Sequence, residues 1–214
     1  MNLVATPSTT TLLLVRHGET TTTGKVLPGR APGLHLSTRG TEQAEQVAAR
    51  LAQLPRRPHA LYVSPLERTR ETARPITREL GVRARVHRGL LECDFGEWTG
   101  QSLAALRKRR EWSQVQHSPS TFRFPSGESF AEMQSRIWGA LVDIAARHRG
   151  ETVVCVSHAD PIKAAVTFAQ GTPLDLFQRT VISTCSVSAL VLGDSTPFVL
   201  AVNSTSTLSE LVPS

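Results

Sequence analysis

The stretch Thr11-Leu12-Leu13-Leu14-Val15, followed at once by Arg16-His17-Gly18-Glu19-Thr20, decides how this chain is read. The first half is a short, continuous apolar run without polar alternation, which predicts a strand buried on both faces. The second half places charged and titratable groups where that strand ends. The same arrangement recurs twice. Ala60-Leu61-Tyr62-Val63 runs into Ser64-Pro65-Leu66-Glu67-Arg68, and Thr152-Val153-Val154-Cys155-Val156 runs into Ser157-His158-Ala159-Asp160-Pro161. In open α/β sheets, ligands bind in the crevice outside the carboxyl ends of the strands. Arg16, His17, Arg68 and His158 are therefore expected to converge despite their distance in sequence.

Helical patterns fill the intervals. Ala44, Val47, Ala48 and Leu51 recur at helical spacing, predicting a helix over 37–54 with Ser37 as N-cap and Pro55 and Pro58 beyond its end. Pro65 is expected to open a second helix that stops at Gly81. A strand near 83–87 follows, and Phe130, Met133, Ile137, Leu141 and Ile144 mark a helix over 128–148. Pro161 is expected to start another helix, and strands over 186–192 and 198–202 lie close enough for a hairpin. Segment 92–125 carries turns and helical fragments but no strand signal, and reads as an insertion over the sheet. The expected fold class is α/β, a three-layer α/β/α sandwich with a mostly parallel central sheet and a small helical insertion over the active site. Residues 1–10 read as a loose N-terminal tail, and 11–214 as one domain.

Composition narrows the partners. The 214 residues have 40% hydrophobic and 20% charged content, ordinary for a globular protein. Cys93, Cys155 and Cys185 form neither a disulfide framework nor a metal-ligand pattern, so a reducing cytoplasm is expected, with Cys155 a small core residue. No signal peptide and no membrane span is read from the chain. The net charge of +6 suits nucleic acid or a small anion. The cluster Arg107-Lys108-Arg109-Arg110 lacks interleaved aromatics and reads as a solvated helix face, so nucleic acid is not expected as a partner. A homodimer is left open.

The four convergent residues would make a strong anion site. Arginine offers a rigid fork that matches phosphate oxygens in pairs. A helix beginning near His158 would add free backbone N–H groups, that of Ala159 among them, at a positive dipole end. Gly18 would let the backbone approach a ligand closely. Each piece alone has a plainer explanation: a histidine in a hydrogen-bonded turn, or Arg68 on a helix surface paired with Glu67 or Glu71. Three successive strand ends of one kind would need that explanation three separate times.

These residues also resemble a known family. Leu14-Val15-Arg16-His17-Gly18-Glu19-Thr20 looks like the signature of the histidine phosphatase superfamily, the phosphoglycerate mutase-like branch. Leu36-Ser37-Thr38-Arg39-Gly40-Thr41-Glu42-Gln43-Ala44, Ser64-Pro65-Leu66-Glu67-Arg68-Thr69-Arg70-Glu71-Thr72-Ala73, Phe95-Gly96-Glu97-Trp98-Thr99-Gly100, Ser126-Gly127-Glu128-Ser129 and Ser157-His158 complete the family's order. The resemblance implies attack by neutral His17 on phosphorus, a phosphohistidine, and its hydrolysis by water. It implies Glu92 as general acid and then base, with Arg16, Arg68 and a protonated His158 sharing the phosphoryl charge. Neither metal nor cofactor is expected. Thr23 stands where the family often has asparagine, and Ala159 where it usually has glycine; Thr23, Ala159 and Arg30 are candidate substrate contacts. Glu19 is expected to pair with a pocket arginine.

The implied activity is hydrolysis of a small phosphorylated metabolite, of the broad-specificity or α-ribazole phosphatase kind. The alternatives are a phosphoglycerate-mutase-type phosphotransferase and a non-catalytic phospho-ligand binder. A zinc hydrolase would call for close ligand pairs such as His-x-x-x-His, which are absent from the sequence.

Overall fold

The computed structural model describes residues 9–55 and 57–205. Its elements run β1 (Thr10–Arg16), α1 (Thr38–Ala52), β2 (Ala60–Val63), α2 (Glu67–Leu80), β3 (Ala84–Val86), α3 (Leu103–Leu106), α4 (Glu111–His117), α5 (Phe130–Arg147), β4 (Thr152–Ser157), α6 (Ala159–Ala169), β5 (Val187–Leu192) and β6 (Phe198–Ser204). The sheet order is β3-β2-β4-β1-β5-β6. β1, β2, β3 and β4 are mutually parallel, while β5 joins β1 and β6 joins β5 in antiparallel pairs. The sheet is thus mostly parallel, with a closing antiparallel hairpin on one side.

The three apolar runs form the centre of the sheet because side chains of both parities are buried. Leu13, Val15, Leu61, Val63, Val154 and Val156 pack with Val47, Leu51, Ile76 and Leu80 of α1 and α2. Leu12, Leu14, Tyr62, Val153 and Cys155 face the other way, onto Ile137, Leu141, Ile144 and Ile162 of α5 and α6. Burying each such aliphatic side chain contributes about 1.5–3 kcal/mol, so the two cores dominate the fold's stability. Cys155 is indeed a core residue, and burial pushes its thiol up to about 12.

Local sequence sets the element ends. The Ser37 side chain accepts from the Gly40 N–H and caps α1. Ser129 and Glu132 cap α5 reciprocally. Gly81 closes α2 at φ 70°, which a side chain would resist.

Several boundaries depart from the sequence expectation. Of the tail expected over 1–10, residues 1–8 lie outside the described residues, but Thr10 belongs to β1. It is buried, and its hydroxyl donates to the Ala145 and His148 carbonyls. Pro65 precedes the cap of α2 rather than opening the helix, which starts at Glu67. Pro161 likewise lies inside α6, whose first residue is Ala159 and whose N-cap is His158. The helix end therefore meets the strand end directly. Arg107-Lys108-Arg109-Arg110 form an exposed turn between α3 and α4, not a helix face.

Segment 92–125 folds as short helical turns around an aromatic cluster. Trp98 and Phe122 meet Phe124, whose ring stands edge-on to that of Phe95. This cluster is continuous with the core on the α5 face. It places Glu92, Phe95 and Leu103 beside the ends of β1 and β4, along one cavity.

Candidate active site

The parallel strands β1, β2 and β4 deliver their polar ends to one edge. The His17 N–H donates to the Ser157 carbonyl, and the Ser64 N–H to the Val156 carbonyl, so the register of the sheet itself aligns the three ends. Arg68, in the first turn of α2, is 0% exposed and its Nε donates to His17 Nε2 at 3.2 Å. The His17 and His158 rings stand edge to face with centroids 5.2 Å apart. His17, Arg16, Arg68 and His158 are brought together as the strand-end pattern required.

The hydrogen bonds assign the state of His17. Its Nδ1 lies 2.7 Å from the Gly18 carbonyl, which can only accept, so Nδ1 carries the proton. Nε2, facing the Arg68 donor, is the lone-pair nitrogen. Burial, then the Arg68 and Arg16 charges, hold the imidazole well below its ordinary range, so it is neutral. Gly18 is held in turn by its N–H donating to Thr72 Oγ1. The glycine serves packing rather than ligand approach, since a Cβ on Gly18 would lie 2.4 Å from the Gly40 carbonyl oxygen.

His158 departs from the expected cation. It is 0% exposed, and burial followed by Arg68 and His17 lowers its pKa well below 6.5. It is therefore neutral at physiological pH. Ser64 Oγ lies 2.8 Å from its Nε2, and with that hydroxyl donating, the ring proton sits on Nδ1, which has no protein partner. Arg16 donates through Nη1 to the Ile182 carbonyl, and Arg68 through Nη2 to the Gly29 carbonyl. Arg16 Nε and Arg68 Nη1 likewise have no hydrogen-bond partner among the described residues. Three buried donors left unmade near one another are costly unless an anion takes them.

Glu92 is 7% exposed and lines the same cavity as Arg16 and His17. Burial, with Asp160 adding to it, lifts its carboxyl to about 7 against the opposing pull of Arg68. Its Oε1 accepts the Cys93 N–H. The Glu92 carbonyl accepts from Arg30 Nε and Arg136 Nη2, and both guanidinium groups pair with Glu128.

Arg30 is expected to reach a phosphate; instead it is spent on Glu128, Asp94 and the Glu92 backbone, and like the deeper Arg68 and His158 it is not among the residues lining the cavity. Thr23 does line it, with Oγ1 accepting the Thr20 N–H. Ala159 lines it as well, at the start of α6. Glu19 pairs with Arg39, an exposed arginine that lines a neighbouring cavity with Arg16 and Thr23, and accepts from the Ser37 hydroxyl.

Sequence reasoning missed the supporting groups: Ser64, Thr72, Arg136 and the cavity wall of Asp160, Lys163 and Gln178. Thr72 could have been found, because it sits one turn beyond Arg68 and so on the same helix face. Among the described residues, no group of three or more His, Cys, Asp or Glu side chains is placed to hold a metal ion. Nor is any helix long and apolar enough to cross a membrane.

Fold and site together define an α/β protein with a buried, arginine-lined anion site around a neutral histidine at the carboxyl edge of its sheet. The sequence profile of the histidine phosphatase superfamily (branch 1) matches residues 12–205, and the chain belongs to that superfamily. It is 31% identical over 209 residues to phosphoserine phosphatase 1 of Hydrogenobacter thermophilus, covering 93% of this chain and 94% of that one. It is 30% identical over 184 residues to a probable phosphoglycerate mutase, GpmB, of an Enterobacter species, covering 85% of each. Among solved structures, the Entamoeba histolytica phosphoserine phosphatase in complex with 3-phosphoglyceric acid has a TM-score of 0.82 at 25% identity, covering 92% of this chain and 98% of that one.

Proposed function

We propose that this chain hydrolyses phosphomonoesters of small metabolites through a phosphohistidine on His17. The observation that carries the reading is the neutral His17 with its Nε2 lone pair turned to Arg68, beside guanidinium donors of Arg16 and Arg68 that have no hydrogen-bond partner among the described residues. In the first step Nε2 attacks phosphorus, the N–P bond forms, and the bond from phosphorus to the ester oxygen breaks. The protonated Glu92 carboxyl gives its proton to that oxygen, and the alcohol leaves. In the second step the Glu92 carboxylate takes a proton from water, the oxygen attacks phosphorus, and the N–P bond breaks to release phosphate.

Arg16 and Arg68 meet the charge on the non-bridging oxygens, where preorganised donors do most for phosphoryl transfer. His158 joins them as a neutral N–H donor. The Ala159 N–H and the α6 dipole add to the same field. Thr23 orders the loop over the cavity and offers its hydroxyl. Arg30 and Arg136 hold the backbone from which Glu92 projects.

A phosphate-release screen over phosphorylated metabolites, with His17→Ala as blank, tests this together with trapping of an acid-labile phosphoenzyme. Near-wild-type turnover of p-nitrophenyl phosphate by His17→Ala would refute the nucleophile. The likeness to a probable phosphoglycerate mutase gives a second reading. Conversion of 3-phosphoglycerate to its 2-isomer, rather than release of phosphate, would favour it.

A further inference from the structure

A second cavity, of about 750 Å³, adjoins the candidate active site, and Arg16 and Thr23 line both. One wall is a polar stripe of α1. Arg39, Gln43, Gln46 and Arg50 recur at helical intervals and so share one face, while Ala44, Val47, Ala48 and Leu51 of the same helix pack into the core. Among the described lining residues three guanidinium groups, of Arg16, Arg39 and Arg50, stand against a single carboxylate, Glu42.

These charges are not cancelled by their neighbours. Arg50 donates to the Ser204 carbonyl and hydroxyl, both uncharged, and pairs with no carboxylate among the described residues. Arg39 stands 3.8 Å from Glu19 with its side chain 73% exposed, a pairing that contributes little. The side chains of Glu42, Gln46 and Thr184, which also line the cavity, make no hydrogen bond or ion pair among the described residues. The walls thus hold excess positive charge and unused amide and hydroxyl groups, and no aromatic ring lines them for a nucleobase to stack on.

We infer that this cavity is a second anion site, distinct from the phosphate pocket, which takes a linear chain of linked phosphates. Arg39 and Arg50 leave α1 about 16 Å apart along its axis at 1.5 Å per residue. A lone phosphate meets one of these forks at a time, whereas an extended polyanion gathers several of them at once.

Tripolyphosphate is the probe, titrated by calorimetry into the His17→Ala protein so that binding is read without turnover. It should bind at least about 10-fold tighter than inorganic phosphate, the usual scale of one added hydrogen bond between charged groups. Arg39→Gln and Arg50→Gln, neither of which lines the phosphate pocket, should each weaken it by a similar factor. Glu42→Gln removes the opposing charge and should tighten binding about 3-fold, a gain that misfolding cannot produce. Adenosine triphosphate should bind no tighter than the bare chain. Tripolyphosphate affinities that none of the three substitutions moves, or that match inorganic phosphate, overturn the inference. Tighter binding of adenosine triphosphate would show a base being read and overturn the ligand class. None of these results bears on hydrolysis of p-nitrophenyl phosphate, so the phosphatase reading stands or falls separately.

Discussion

Replacing Glu92 with glutamine should make the protein more stable at high pH and less active. In the folded chain the Glu92 carboxyl is lifted from 4.5 to about 7, mainly by burial. The unfolded chain loses this proton near 4.5, whereas the folded chain keeps it until about 7. Between those values the folded state binds more protons, so stability falls as pH rises, by 1.36 kcal/mol per unit for a single group. The loss totals about 3 kcal/mol once pH has passed the folded value. Glutamine keeps the volume and the acceptor for the Cys93 N–H but has no proton to lose. The stability gap between Glu92→Gln and wild type should be near zero at pH 4.5 and reach about 3 kcal/mol in favour of the variant by pH 8.5. Urea denaturation of both proteins at the two pH values, followed by circular dichroism, measures it. An equal gap at both values would show that Glu92 does not hold its proton through neutrality, and the acid role would go with it. The same variant should slow alkyl phosphates, whose leaving oxygen needs a proton, far more than aryl phosphates.

Arg68→Lys should lower kcat/KM for p-nitrophenyl phosphate by about 10²-fold with the fold intact, since a compact ammonium cannot span the separate positions that the guanidinium fork reaches at His17, the Gly29 carbonyl and a phosphate. Steady-state kinetics on the folded variant decide it. Gly40→Ala would set a Cβ 2.0 Å from the Glu19 carbonyl oxygen, so a loss of about 1–3 kcal/mol is expected in the denaturation midpoint. Exhaustive treatment with EDTA should leave phosphate release unchanged, because the reaction proposed here draws its positive charge from Arg16 and Arg68; a loss restored by one divalent ion would contradict it.

The sheet was readable because its central strands are buried on both faces, so Leu12–Val15 and Val153–Val156 appear as unbroken apolar runs. Convergence at the strand ends followed from parallel topology alone. What could not be read depends on contacts between distant segments. Nothing near Arg30 reveals that Glu128 and Asp94 will claim it. The start of α6 was misplaced because Pro161 is a strong helix-opening signal, yet proline is tolerated anywhere in a first turn whose N–H groups lack partners. The neutral state of His158 could not be read for a different reason. A histidine beside a phosphate site is easily read as a cation, but its state follows from depth, and depth belongs to the folded molecule.

That depth links the groups of the site through one cause. Burial disfavours charge, and each titratable group here responds according to its type: His17 and His158 remain unprotonated, and Glu92 remains protonated to about 7. Burial lowers the Arg16 and Arg68 guanidinium values as well, but a guanidinium is not deprotonated in proteins and keeps its charge. A site assembled in this way needs no separate device for nucleophile and acid. The burial that keeps His17 unprotonated also holds a proton on Glu92, and Arg16 and Arg68 bring fixed positive charge beside them. A dianionic phosphate entering that field would meet the cations and press the Glu92 proton on more firmly. In the proposed reaction, transfer of the phosphoryl group to His17 would leave the Glu92 proton nowhere better to go than the departing oxygen.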